Sequence, residues 1–370
     1  MRAWVVFAVL AAATFGPVFA GAWKRKSPAF LPDLPVARGA TEPFHRAAFV
    51  PDARDRPDEV HSATVLSGGT TLPAAWFGGT EEGADDVRIY FTPDGSGRKS
   101  PWVAVDRARA ESGLRRPVKK IGNPLLWRAH DGSLGLCFVT TTIGGWSTSA
   151  LSIEFPWSSP RPRTRRIVTS PFANISTLVR SAPIRFADGS IGLPVSHECI
   201  GKFGELVRLR RNGTVLDKRR INWGRSAFQP SIVVLDADRA VAFLRHAGEL
   251  PGHVWRSATS DRGCSWSDPE PLDLPNPNSA IAALRLDGDR LLLAYNDLDV
   301  GRHRLALAVS EDAGRTWTRV HTVAEGEPGA EFSYPALATT PNGSIHLLFT
   351  WNRERIRAVV FNRAWLERPS

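Results

Sequence analysis

Six times in this 370-residue chain a polar side chain stands just ahead of an apolar, strand-like run. The positions read His61-Ser62, Gly122-Asn123-Pro124, Asn174-Ile175-Ser176, Phe228-Gln229-Pro230-Ser231, Asn278-Ser279 and Ser333-Tyr334-Pro335. These are types suited to recognition and proton transfer. An imidazole titrates near neutrality, a phenol can give up a proton, and an amide offers a donor and an acceptor without charge. His61 and Tyr334 could therefore serve as base and acid. Two carboxyls, Glu82 and Asp86, lie in the loop Thr80-Glu81-Glu82-Gly83-Ala84-Asp85-Asp86-Val87 after the first hairpin. Each can act as a proton donor, or it can satisfy backbone or pair with Arg88. His197-Glu198 precedes Gly201-Lys202-Phe203-Gly204, a loop with enough glycine to approach a ligand. No Walker loop, His-x-x-x-His zinc site or nucleophile elbow is present.

Residues this far apart meet only if the elements that carry them converge. From residue 45 onward an apolar strand, a Gly or Asp turn and a second apolar strand keep returning. The turns centre on Gly69, Gly132, Gly189, Asp238, Gly288 and Gly343, spaced 49 to 63 residues apart. Such a period carrying β-hairpins is the signature of propeller blades. Thirteen Trp, 31 Gly, 28 Pro and one Met suit many short strands and turns. The expectation is an all-β, six-bladed propeller over residues 44–370. Its ring closes by pairing the strand at 45–50 with the last strand, 356–361. Six polar strand starts would then face one channel mouth. Two of the three Asn-x-Ser/Thr triplets, at Asn212 and Asn342, are Asn-Gly and read as hairpin turns; the third is at Asn174.

Leu305, Leu307 and Val309 alternate with Ala306 and Ala308, a strand that runs into Ser310-x-Asp312-x-Gly314-x-Thr316-Trp317. Short polar side chains can bond back to the backbone there, Gly314 can take a positive φ, and Trp317 can plug the loop. A second copy reads Thr259-Ser260-Asp261-Arg262-Gly263-Cys264-Ser265-Trp266. The pattern resembles the Asp-box of the sialidase (neuraminidase) and BNR-repeat superfamily. The blocks around Trp76-Phe77-Gly78-Gly79, Asn278-Ser279 and Phe332-Ser333-Tyr334-Pro335 are similar to a bacterial group of predicted sialidases within it. The resemblance runs from about residue 45 to the end of the chain.

That resemblance implies a glycosidase in which a Tyr attacks the anomeric carbon, a carboxylic acid protonates the leaving group, and Arg side chains hold the sugar's carboxylate. Tyr334 matches the nucleophile, and Glu82 or Asp86 is the candidate acid. Arg245 and Arg302 match two carboxylate-binding positions, where guanidinium forks suit a carboxylate; either Arg could instead be a partner for a nearby acid. Asn123 and Asn278 are expected among the substrate-binding groups. Two positions depart from the pattern. His61 stands where the family's first Arg would fall. Gln229 stands where the Glu that activates Tyr would fall, and an amide cannot take a proton. The implied substrate is an acidic sugar, a uronic acid as readily as sialic acid. Elimination on a uronate and binding without turnover remain open.

The formal charge is +10, with seven Lys among 47 basic residues. A positive field draws polyanions, although scattered Arg can equally reflect Arg-rich composition. Arg115-Arg116 and Lys119-Lys120 form one short basic stretch. The partner expected is an acidic oligo- or polysaccharide and not nucleic acid; neither metal nor cofactor is expected. Cys137, Cys199 and Cys264 allow one disulfide at most and show no metal-ligand spacing. Residues 1–23 form a near-continuous apolar run, read as a signal peptide or as a membrane anchor, and Lys24-Arg25-Lys26 follows it. Residues 24–43, rich in Pro, Ala and charge, read as a tether. The expected location is the cell envelope or beyond.

Overall fold

The computed structural model describes residues 27–33, 35–37, 39, 41–95, 99–129, 131–155, 163–169, 176–199, 201–210 and 212–368. In it the alternating strand Arg304–Ser310 is buried on both faces. Leu305, Leu307 and Val309 enter the hydrophobic cluster shared with the following sheet, and Ala306 and Ala308 enter the one shared with the preceding sheet. Large residues on one face and small ones on the other let the strand pass between two close neighbours.

That arrangement repeats around a ring. The described residues form six antiparallel sheets. Blades 1 and 2 run from inner strands Glu59–Val65 and Lys120–Arg128 to outer strands Trp102–Val105 and Arg163–Arg166. Blade 3 has an inner strand in two pieces, Leu178–Val179 and Ile184–Phe186, and ends at Val215–Arg220. Blades 4 and 5 begin at Ala227–Val234 and Ala282–Asp287 and end at Glu270–Pro275 and Thr318–Glu325. Blade 6 begins at Phe332–Thr339. Each inner strand packs on the next blade, and blade 6 packs on blade 1. Six hydrophobic clusters fill the six seams. The six-bladed propeller read from the repeat is the fold found, and all six turn centres fall between first and second strands.

Ring closure also follows the expected pairing. His45–Phe49 is the outermost strand of blade 6, antiparallel to Arg355–Phe361, with His45 opposite Phe361 and Phe49 opposite Arg357. The stretch read as a tether behaves differently: its described part is a strap across the turn ends of several blades. Phe30-Leu31 pairs with Phe186-Arg185 of blade 3. The Phe30 amide donates to Ala237 O of blade 4 and the Val36 amide to Leu286 O of blade 5, both at 2.8 Å. Phe30 and Val36 are buried in two of the seams. Residues 1–23 lie outside the described residues, as does Asn174. Among the described residues no helix is long and apolar enough to cross a membrane.

The two Asp-boxes share one hydrogen-bond pattern. Ser310 Oγ accepts from the Asp312 amide at 3.3 Å and the Gly314 amide at 2.9 Å, and Thr259 Oγ1 accepts from those of Asp261 and Gly263 at 3.3 and 3.1 Å. Asp312 accepts from the Thr316 amide and Asp261 from the Ser265 amide, each at 2.9 Å. Trp317 closes its loop by donating to Gly314 O and lies edge-on to Phe243 of the neighbouring blade. A partial third copy, missed in the sequence, begins in blade 1, where the Asp94 amide donates to Thr92 Oγ1 at 3.3 Å.

Candidate functional site

Each inner strand begins at the same end of the channel with one residue in the left-handed region. These are Ser62 (φ 55°), Asn123 (44°), Ser176 (58°), Gln229 (48°), Asn278 (56°) and Tyr334 (54°). Pairing with the second strand slips at four of them, between His61 and Thr64, Gly122 and Leu125, Phe228 and Ser231, and Ser333 and Ala336. Pro124, Pro230 and Pro335 follow three of them and lack the N–H a ladder needs. The result is a bulge at the rim of each of these four blades, which re-aims a side chain. A left-handed non-glycine residue costs on the order of 1 kcal/mol or more, and Tyr and Gln have less local compensation there than Asn. The six residues are those the sequence picks out.

Four of them, Asn123, Gln229, Asn278 and Tyr334, line a cavity of about 160 Å³. Loops between second and third strands supply its upper wall: Glu82 from blade 1, Trp146 from blade 2, and Glu198 and Lys202 from blade 3. Arg245 and Phe228 of blade 4 complete one side. A larger cavity, about 260 Å³, lies at the opposite end between blades 6 and 1, beside Arg46, Asp94 and His346, and shares no residue with this one. Among the described residues no three His, Cys, Asp or Glu gather as metal ligands would.

The charges in the mouth are unequally matched. Arg245, 8% exposed, donates through Nε to Asn278 Oδ1 at 2.8 Å and through Nη1 to Gln229 Oε1 at 2.9 Å. Both acceptors are neutral amides, so no ion pair cancels its charge. Arg302 donates from Nη2 to Asn278 O at 3.2 Å and pairs through Nη1 with Glu331 Oε1 at 3.0 Å. Asn278 thus joins the two guanidiniums. Glu331 also receives Arg353 Nε at 2.9 Å, and Arg353 Nη1 reaches Glu82 Oε2 at 3.1 Å. Burial alone would raise the Glu331 pKa, but hydrogen bonds from Ser333 and Arg353 with the charges of His61 and Arg302 bring it down to about 2.

Glu198 is the opposite case. Burial raises its pKa, an effect partly offset by Arg245 and Lys202, and among the described residues its carboxyl has no hydrogen-bond or ion-pair partner. Its amide donates to Ser176 Oγ at 2.6 Å, which ties the loop to the blade 3 strand start. Beneath the phenol lies Arg180, buried, with its guanidinium 5.2 Å from the Tyr334 ring centroid. It donates to the carbonyls of Ala63 and Pro335, and burial brings its pKa down to about 10.

Of the residues singled out in the sequence, Tyr334, Glu82, Gln229, Asn123, Asn278 and Arg245 thus share one cavity, and Arg302 stands 5.8 Å from the Tyr334 ring. Asp86 does not join them. Its carboxylate accepts from the Thr80 amide and hydroxyl, a loop-closing role, while Arg88 pairs with Asp55. The hydroxyl's bond is the main cause holding the Asp86 pKa below the usual range. His61 is 2% exposed, packed edge-on to the Tyr334 ring at 4.2 Å. Among the described residues neither ring nitrogen has a hydrogen-bond partner, and burial, with Arg353 next, lowers its pKa to about 3. An imidazole so placed lies behind the phenol and does not line the cavity, so it is not positioned to take a proton from a group bound there. The sequence reading missed Glu331, Arg353 and Arg180; of these only Glu331 carried a local signal, adjoining Phe332-Ser333-Tyr334.

The radial sheets, Asp-box turns and polar channel mouth define a six-bladed Asp-box propeller. The chain belongs to the BNR repeat-like domain family, whose profile matches residues 70–347. No curated protein matches it in sequence. Among solved structures it is similar to a protein of unknown function from Dyadobacter fermentans, with 14% identity, 86% of this chain and 99% of that one covered, and a TM-score of 0.64. It is similar to the NanB sialidase of Streptococcus pneumoniae, with 10% identity, 85% and 70% covered, and a TM-score of 0.64. A third is the intramolecular trans-sialidase of Ruminococcus gnavus in complex with oseltamivir carboxylate, with 12% identity, 87% and 98% covered, and a TM-score of 0.65. At these identities the likeness is one of fold.

Proposed function

We propose that this protein is a sialidase-like exo-glycosidase that removes acidic sugars from glycans of the cell envelope or the extracellular space. The observation that carries the proposal is the cavity shared by a phenol, an Arg without a carboxylate partner and two carboxyls. Arg245, with Arg302 behind Asn278, receives the sugar carboxylate. Tyr334 Oη attacks the anomeric carbon as the glycosidic bond breaks. Glu198, with its pKa raised by burial, gives its proton to the leaving oxygen, and Glu82, paired with Arg353, accepts the phenol proton in place of the absent Glu at 229. Water then releases the sugar. The location rests on the apolar run at residues 1–23.

The test is product analysis of sialyl and uronyl oligosaccharides after incubation with the full chain. The expected result is a mass gain of one water. Tyr334→Phe should lower turnover by roughly a thousandfold or more, the scale on which loss of a nucleophile acts. A new double bond in the product would mean elimination instead. Gln229 favours a second reading, binding without turnover: intact oligosaccharide, bound as well by Tyr334→Phe as by the parent, would establish that reading and overturn the first.

A further inference from the structure

Beside the mouth, four side chains from blade 3 and its exit loop form a continuous stack. The rings of His197 and Phe203 lie 4.7 Å apart at an interplanar angle of 15°. The Arg220 guanidinium sits 3.5 Å from the Phe203 centroid and 4.3 Å from that of Trp223. Trp223, the end of the stack, is 73% exposed. All four lie at the mouth end of the blade: His197 closes its second strand, Phe203 opens the third, and Arg220 ends the outermost. The stack also abuts the cavity wall. Gly201, next to Lys202, lies beside the Trp223 loop: a Cβ there would be in ordinary van der Waals contact with Arg225 Cγ at 3.6 Å and Gly224 O at 3.8 Å.

An indole in water is an uncompensated apolar surface, and here it is held flat by a cation that is itself clamped between two rings. That rigidity suits a ligand presenting a flat, partly apolar face together with negative charge. Lys202, next to Phe203 in the chain, points its ammonium towards the Phe228 ring at the cavity, and Arg225 follows Trp223 by two residues; neither pairs with a carboxylate among the described residues. A pyranose ring offers C–H groups on one face, and an acidic one brings the charge. We propose that Trp223 is a stacking subsite for a second or third sugar of an acidic oligosaccharide whose terminal residue occupies the mouth. The proposal rests on the acidic-sugar reading of that mouth, and it makes the substrate an oligomer that is gripped along its length.

The test measures calorimetric binding of oligogalacturonate and α-2,8-linked oligosialate, each as monomer and tetramer. It uses the full chain carrying Tyr334→Phe so that nothing is consumed. Adding Trp223→Ala should weaken tetramer binding roughly five- to tenfold, the scale of one stacked ring. The monomer should change less than twofold, and Trp223→Phe should restore most of the loss. Unchanged tetramer affinity, an equal loss for monomer and tetramer, or no tetramer binding by the parent each overturn the subsite. Arg245→Ala separates this from the reading of the mouth. If it leaves both ligands bound while Trp223→Ala selectively weakens the tetramer, the mouth assignment fails and the subsite stands.

Discussion

Glu331 and His61 make the mouth sensitive to acid for different reasons. The Glu331 pKa of about 2 lies below that of a free glutamate, so its contribution to stability is complete above the unfolded value and is lost as pH falls towards 2. His61 is buried neutral, at about 3 against an ordinary 6.5. Below 6.5 the unfolded chain takes up a proton that the folded chain refuses, so stability falls with pH there as well. Urea unfolding of the wild type should therefore show two acid limbs. His61→Phe should flatten the one between pH 6.5 and 3. Glu331→Gln should flatten the one below about 4.5, while costing roughly 2 kcal/mol at pH 7 because Arg302 and Arg353 lose a shared half-buried partner. Neither role was legible in the sequence. An imidazole ahead of a strand reads as a functional base until the burial of both its nitrogens is known, and Glu331 reads as one loop carboxylate among many.

The Asp-box was the most legible element, because its hydrogen bonds join residues only two to four positions apart. The same short-range logic explains Asp86: of the roles its loop allows, proton donor or backbone partner, the fold back onto Thr80 is the one found. What the motif leaves open is how tightly each copy is packed. At Gly314 (φ 79°) a Cβ would meet the Phe243 ring at 2.3 Å, whereas at Gly263 (φ 76°) the nearest atoms are 3.3 Å away. Both would suffer the left-handed strain, and only Gly314 would also clash with a buried ring. Gly314→Ala should destabilise by roughly 3 kcal/mol and Gly263→Ala by about 1 kcal/mol in denaturant titrations. Equal losses would mean that the loop, and not its seat on blade 4, sets the cost.

Around the whole ring, stability depends on the seams, since each blade buries its faces only against its neighbours. Closure by His45–Phe49 was legible because an unpaired N-terminal strand and a last strand lacking its partner complete one another. The strap before it was not, because Pro, Ala and charge describe a linker equally well. Its hydrogen bonds go to carbonyls of distant turns, and such groups carry no sequence mark. Phe30 is 2% exposed, against Phe186 at 5.2 Å. Phe30→Ala should cost about 3–4 kcal/mol in global unfolding, as for a core aromatic; a loss below 1 kcal/mol would return the segment to the status of a tether.

Local spacing alone determined the repeat, the blade number, the Asp-boxes and which six residues stand at the strand starts, because each depends on chain neighbours and on the two-residue period of a strand. Tertiary structure alone decided the state of those residues. It left Arg245 facing two amides while Arg302 met a carboxylate, and it buried His61 behind the phenol. It also brought Glu198 to the cavity wall and turned a supposed tether into a strap. Charge and protonation at a site are set by what lies within a few ångströms in space, and in a closed ring those neighbours come from blades that are far apart in the chain.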